Sequence, residues 1–294
     1  QSGGRRVPQL VVPDVLQALG RLAALLRERL DPVVIGITGS NGKTTVKEML
    51  ASILQPAGEV LATQGNYNNE LGVPLSLFGL EPRHRFAVLE MGASRAGDIA
   101  YLAGIARPDV ALVTNVGPAH LGGFGSLEGV ARAKGEIYAA LPPDGCAVIN
   151  ADEPWSGLWR ELNRARRSIT FGAGAGSEVR LDGDEQRPRI VTPQGAFDLR
   201  LALAGRHNLL NAAAAKANWG SPLPAGRGRG IAVAESFDSF VAQVAGLLGE
   251  VVEPHHLPGA QVDQGGDADL AAAADVAAQQ QQARVLGGGH ARHA

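Results

Sequence analysis

The residues with the clearest chemical potential stand in one run, GITGSNGKTT at 36–45. Gly39 and Gly42 have no Cβ, so the backbone there can take a positive φ and approach a ligand closely. The run lies between an apolar segment, Val33–Thr38, that reads as a strand and a helical pattern over 46–54 that begins near Lys43. A helix starting there directs unpaired N–H groups and the positive end of its dipole into the turn, which makes an anion site. Lys43 can reach terminal phosphates, and the Thr44 hydroxyl can enter the shell of a Mg²⁺ ion. The strict phosphate-loop pattern G-x-x-x-x-G-K-[ST] is met incompletely: its first glycine would fall on Ile37, whereas the nearest glycine is Gly36. The competing reading is a glycine-rich strand-to-helix turn without a ligand. Gly-Lys-Thr at a strand–helix junction favours the phosphate.

Other polar residues stand where apolar strands stop. LEMG places Glu90 at a strand end, and TNVGPAH places Asn115 and His120 just after another. A carboxylate beside a phosphate loop can bind Mg²⁺ directly or through water; imidazole is a less usual ligand for it. Taken singly, Glu90 also reads as a turn residue and His120 as a cap, but their succession along the strand ends points to one site. GNYNNELGVP at 65–74 is dense in amides, which suit turns and offer donors and acceptors. Lys134, in ARAKGEI, reads from spacing alone as an ordinary surface lysine on a helix.

The elements that must position these groups alternate. Leucines at 16, 19, 22, 26 and 30 predict a helix over 14–30, ended by Asp31-Pro32. Strands are expected over 33–38, 86–92, 110–115, 146–150 and 168–172, with helices over 98–106, 126–141 and 206–217, Ser126 capping its helix. Continuous apolar strands separated by helices predict an α/β fold, a mostly parallel sheet with helices on both faces, whose ligands bind at the carboxyl ends of the strands. EVRL, RIVT and FDLRLAL, after 172, read as a small antiparallel addition. Residues 219–294 hold four of the seven histidines and the Gln279–Gln282 run, and only SFDSFVAQVAGLLGEVV has usable periodicity. This composition predicts a weakly ordered tail.

The 294 residues, 45% hydrophobic, suit one or two domains, and a net charge of -2 gives no reason to expect a nucleic-acid or acidic-lipid surface. The single cysteine, Cys146, cannot form an internal disulfide, which fits a reducing cytoplasm. No apolar run reaches the roughly 18–20 residues that span a bilayer. The opening QSGGRRVPQL has no initiator methionine and no signal-peptide core, so the chain is expected to begin inside a longer protein.

The stretches quoted above, together with TVKEML, LEMGASRAGDI, TNVGPAHLGGFGS, AKGEIY, INADEP and GRHNLLNAAAA, resemble the Mur ligase family, the ATP-dependent amide ligases of cell-wall precursor synthesis. The family loop G-x-T-G-[ST]-N-G-K-[ST] is matched at every position of 36–44, which accounts for the offset from the strict pattern. The resemblance runs from about Val15 to Ala217, and the Asn-rich segment and EMGASRAGDI point to the branch that joins D-alanyl-D-alanine to UDP-N-acetylmuramoyl-tripeptide. It implies ATP phosphates held by Lys43 and the backbone of Gly39, Ser40, Asn41, Gly42, Thr44 and Thr45. It implies one Mg²⁺ on Thr44 and Glu90 and a second at His120. Lys134 falls on the family's carbamylated lysine, where CO₂ turns the ammonium into an anion that stabilises a Mg²⁺. Asn208 and Asn211 match residues near the adenine, and Asn69 would lie near the γ-phosphate and the acyl group. A monomer is expected.

The resemblance also implies a division of the chain: 1–30 as linker and exit helix of an N-terminal domain, 31–217 as the central ATP-binding domain, and 218–294 as an atypical tail. The family's third domain carries D-x-Y-N-A-N-P, a motif this chain lacks, and its Ala/Gly/Arg/Gln/His-rich tail is what an out-of-frame reading of GC-rich DNA would produce. Two rival functions stay open: a sister ligase such as folylpolyglutamate synthetase, against which GNYNNELGVP argues, and a non-catalytic ATP-binding fragment.

Overall fold

The computed structural model describes residues 10–184, 186–199 and 205–219. The expected order and disorder of the tail beyond Trp219 lie outside these residues.

The strand that leads into the candidate site, β1 (Val33–Thr38), is buried along its whole length. Alternate residues face opposite sides of the sheet, and two separate cores follow. Val33, Ile35 and Ile37 pack with Val46, Met49 and Leu50 of α2 (Lys43–Leu54) and with Leu209, Ala212 and Ala213 of α8 (Arg206–Trp219). Val34 faces the other core, with Ala23 of α1 (Val15–Leu30), Leu102 and Ala103 of α4 (Asp98–Ala106) and Ile137 of α6 (Leu127–Ala139). The remaining strands are β2 (Glu59–Ala62), β3 (His84–Glu90), β4 (Val110–Val113), β5 (Cys146–Asn150), β6 (Arg167–Gly172), β7 (Val179–Asp182), β8 (Arg189–Thr192) and β9 (Gly195–Asp198). Together with β1 they form, among the described residues, a nine-stranded sheet in the order β2-β3-β1-β4-β5-β6-β7-β8-β9.

Pairing is parallel from β2 through β7 and antiparallel for β7–β8 and β8–β9. The antiparallel addition expected after Gly172 is present as β7, β8 and β9, which pair antiparallel with one another, and it joins the parallel sheet through β7, whose pairing with β6 is parallel, Phe171 opposite Val179. α2 leaves β1 toward one face, while α4 and α6, which follow β3 and β4, lie on the other. Chains that part in this way open a crevice at the carboxyl end of β1.

Helix ends follow local chemistry. Asp14 Oδ1 accepts from the Gln17 N–H, so α1 starts one residue later than 14–30, and Ser126 Oγ accepts from the Gly129 N–H, the cap expected of it. Short elements escaped the sequence reading: β2, α3 (Gly72–Leu77), α5 (Leu121–Phe124) and α7 (Ser156–Leu162). α1 is tied to the sheet by Arg27, which donates to the Ala106 and Arg107 carbonyls and to Asp109 Oδ2. That same carboxylate oxygen accepts from the Val34 N–H at 2.8 Å, so the guanidinium is buried with its charge answered. Among the described residues, no helix is long and apolar enough to cross a membrane.

Candidate active site

The turn after β1 is held open by the strand beside it. Asn115, just past β4, pairs with Asn41 like a strand neighbour: its Oδ1 accepts from the Asn41 N–H (3.0 Å) and its Nδ2 donates to the Asn41 carbonyl (2.9 Å). Thr114 Oγ1 donates to the same carbonyl at 2.6 Å, and the Ser40 N–H donates to the Asn115 carbonyl. Asn115, which stood among the strand-end candidates, therefore shapes the loop. Two loop positions require glycine. Gly39 has φ 146° and a Cβ there would overlap Thr114 Oγ1; Gly42 has φ 80° and its Cβ would lie 2.5 Å from Asn211 Oδ1.

Lys43 opens α2 and curls back, its Nζ 3.0 Å from the Gly39 carbonyl. Burial lowers its pKa and the Glu90 charge opposes that shift. Glu90 ends β3 and is 3% exposed. Its Oε2 accepts from Thr44 Oγ1 and its Oε1 from Asn68 Nδ2, both at 2.8 Å. Its backbone N–H donates to Thr63 Oγ1 at 3.0 Å. A hydroxyl and a carboxylate this close are hard oxygen donors of the kind Mg²⁺ takes, with phosphate oxygens and water completing its shell. Among the described residues no three His, Cys, Asp or Glu side chains gather as a metal cluster, so the partial Thr44–Glu90 pair is the fit on offer.

Beside the loop lies a cavity of about 630 Å³, lined among others by Lys43, Asn69, Ser94, Tyr101, His120 and Lys134. Lys134 is not the surface residue that its spacing suggested. It is 3% exposed, and its pKa is lowered to about 8, first by burial and then by the Lys43 charge. Its ammonium has no hydrogen-bond or ion-pair partner among the described residues. His120 is exposed, in the left-handed region at φ 53°, immediately before α5. Asn69 lines the cavity while its Oδ1 accepts from the Gly72 N–H at 2.8 Å, which fixes the start of α3.

The structure thus brings Gly39, Ser40, Lys43, Asn69, His120 and Lys134 to one cavity, with Thr44 and Glu90 joined beside it. Asn208 and Asn211 stand apart from that lining, on α8, with Asn211 7% exposed and its Nδ2 3.4 Å from Asn208 Oδ1. Sequence reasoning passed over Asn68 as a partner of Glu90, and also Thr63, Lys47 and Glu136. Glu136 on α6 accepts from the Gly97 and Ala100 N–H groups, holding the start of α4 against the cavity.

Residues 37–218 match the family model described as Mur ligase middle domain. The UDP-N-acetylmuramoyl-tripeptide–D-alanyl-D-alanine ligase of Escherichia coli (strain K12) is 43% identical over 217 residues, which are 72% of this chain and 48% of that protein. A crystal structure of MurF from Acinetobacter baumannii has a TM-score of 0.67 at 42% identity, over 72% of this chain and 49% of the other. MurF ligase from Thermotoga maritima, solved in complex with ADP, has a TM-score of 0.64 at 35% identity, over 72% of this chain and 51% of the other. The chain spans about half the length of the curated relatives it matches. The family match runs from the end of β1 through most of α8, taking in the phosphate turn, Glu90, His120 and Lys134, and covers more than half of the chain; on that ground, the chain belongs to the Mur ligase family.

Proposed function

We propose that this chain is the ATP-binding part of a ligase that joins D-alanyl-D-alanine to UDP-N-acetylmuramoyl-tripeptide in peptidoglycan precursor synthesis. The observation that carries the reading is the meeting of Lys43, His120 and Lys134 on one cavity beside the Thr44–Glu90 pair. The choice of substrates rests on relatives at 43% and 45% identity that bear this ligase name. Residues 31–217 form the central ATP-binding domain in this reading.

The tripeptide carboxylate attacks the γ-phosphorus of ATP, giving an acyl phosphate and ADP. The amine of D-alanyl-D-alanine then adds to the acyl carbon, and the tetrahedral adduct expels phosphate and a proton. Two anions meet in the first step, so positive charge must be placed beforehand. Lys43 and the N–H groups of residues 39–45 supply it to the phosphates. Thr44 and Glu90 would hold one Mg²⁺ and His120 a second; bound there, the ions neutralise phosphate charge. Asn208 and Asn211 would serve the adenine and Asn69 the γ-phosphate end of a bound nucleotide. Much of the remaining acceleration is positioning, worth roughly 7–11 kcal/mol.

Lys134 fits a carbamate. A pKa of about 8 leaves an appreciable share of neutral amine near neutral pH. The amine nitrogen bonds to the carbon of CO₂, a proton leaves to solvent, and the product anion faces the Lys43 charge. Two measurements test the function. Isothermal titration with MgATP is expected to detect binding that Lys43→Ala abolishes, and phosphate release is expected to require the tripeptide. Binding without any substrate-dependent release would leave an ATP-binding module. Equal affinity in Lys43→Ala would sink the nucleotide site. Labelling with ¹³CO₂ should give a carbamate carbon signal that Lys134→Arg removes.

A further inference from the structure

Lys47 on α2 is buried as Lys134 is, and the chemistry above makes no use of it. It is 2% exposed, one helical turn beyond Lys43, where α2 lies against β2 and β3. Its Nζ donates to the Thr63 carbonyl at 2.6 Å and pairs with Glu48 Oε1 at 2.7 Å, a carboxylate that is itself 66% exposed. Thr63 follows β2 directly and is also buried, at 2%. Its N–H donates to the Val88 carbonyl, extending the β2–β3 ladder, and its Oγ1 accepts from the Glu90 N–H. Thr63 is therefore gripped from two sides, by a lysine on α2 and by the residue whose carboxylate faces Thr44.

A buried ammonium is costly, and an unbranched apolar side chain would fill the same volume without that cost. The charge does one thing that such a side chain cannot: it pins a single carbonyl at the end of β2. That carbonyl belongs to the residue that sets the height of the Glu90 backbone. We infer that Lys47 is a positioning residue for the Mg²⁺ site, acting through Thr63 on Glu90. The inference rests on the reading of Glu90 as a metal ligand. The groups around a metal ligand fix its direction, and their loss typically costs about 10–100-fold in metal affinity. Because Lys47 acts through one intervening residue and on the backbone, the low end applies.

The test is the Mg²⁺ dependence of ADP and ATP binding by the chain, followed by isothermal titration at graded Mg²⁺ and again with the metal chelated. Lys47→Met is expected to raise the half-saturating Mg²⁺ concentration about tenfold, with metal-free ADP affinity within about twofold of native. Thr63→Val, which removes the acceptor for the Glu90 N–H, should reproduce that shift, and Thr63→Ser should restore the native value. If Lys47→Met does not fold, Lys47→Gln, which keeps a donor on a shorter side chain, takes its place and is held to the same outcomes. Glu90→Gln separates the two layers. An unchanged Mg²⁺ requirement in Glu90→Gln overturns the metal reading, and this inference with it. A raised requirement in Glu90→Gln beside a native one in Lys47→Met and Thr63→Val overturns this inference only. A Lys47→Met effect that is equal with and without metal marks a merely structural tie and also overturns it.

Discussion

On the α8 side of the phosphate loop, Asn211 is buried and presses against Gly42; on the α4 and α6 side, Lys43, His120 and Lys134 line an open cavity of about 630 Å³. The first side is governed by contact distance. Two helices and a glycine turn fit there with no room for a Cβ, so shape fixes the backbone that would meet the nucleotide. The second side is governed by charge. Two ammonium groups face one cavity, and one of them, on Lys134, has no answering partner among the described residues. Such an arrangement lowers stability and would have no reason in a purely structural wall. The packed side keeps the loop rigid so that the charged side can hold unpaired groups in place.

The largest expected effect breaks the packed side. Gly39→Ala forces a side chain into φ 146° and into Thr114 Oγ1, the hydroxyl that holds the Asn41 carbonyl. Backbone strain and overpacking together should cost on the order of 2–5 kcal/mol. Urea unfolding should show this loss together with loss of MgATP binding. A native unfolding midpoint in Gly39→Ala would mean the loop is not under steric control.

Lys43→Ala acts on the charged side and should separate binding from stability. It removes the ammonium from the loop but fills no space, and its hydrogen bonds to the Gly39 and Ser40 carbonyls are only partly buried. MgATP affinity is expected to fall at least about 100-fold, the equivalent of one or two charge-assisted hydrogen bonds. The thermal midpoint should move little. A large loss of stability without loss of affinity would transfer Lys43 to the packed side of the comparison.

Lys134→Met should do the opposite and stabilise. In the folded chain the lysine pKa falls from 10.5 to about 8. Between these values the unfolded chain holds a proton that the folded chain has released, so native stability rises with pH across that window. Below pH 8 the cost of the buried charge is fully present. In CO₂-free buffer at pH 7 the methionine variant should therefore be more stable, by on the order of 1–3 kcal/mol. That advantage should shrink from pH 8 to pH 10.5. A constant difference across pH would show that packing, and not charge, separates the two.

The two sides were unequally legible in the sequence. The loop, the central strands and the helices around them could be read because long apolar strands alternate with helices of clear period. β2 and α3 could not: EVLA is four residues long and half-exposed, and GVPLSL carries a proline within six residues, so neither shows a period. The buried lysines did leave a trace. Lys47 heads the stripe that continues through Leu50 and Leu54, and Lys134 lies between Val130 and Ile137, all of them buried. A cation at an apolar position of a helix is the signal, though periodicity alone cannot distinguish it from a lysine at the edge of the face. The Glu90 partners, Thr63 and Asn68, come from a strand end and a loop that meet only through the β2–β3 pairing. No local pattern records such a meeting.

Asn69 lies where the two behaviours meet, and it should give the smallest effect. Its Oδ1 accepts from the Gly72 and Leu71 N–H groups, a structural duty, while the residue also lines the charged cavity. Asn69→Ala removes the acceptor and should cost about 1 kcal/mol of stability, the net value of a hydrogen bond of this kind. Asn69→Asp keeps an oxygen in place for both N–H groups, so its stability should stay near native. The aspartate would, however, add negative charge to the cavity. If Asn69 stands near the γ-phosphate, ATP should lose several-fold in affinity and ADP much less, since only ATP carries the terminal phosphate. Titration of both nucleotides into Asn69→Asp checks this. Equal loss for ATP and ADP would place Asn69 away from the γ-phosphate and leave it with the turn before α3 alone.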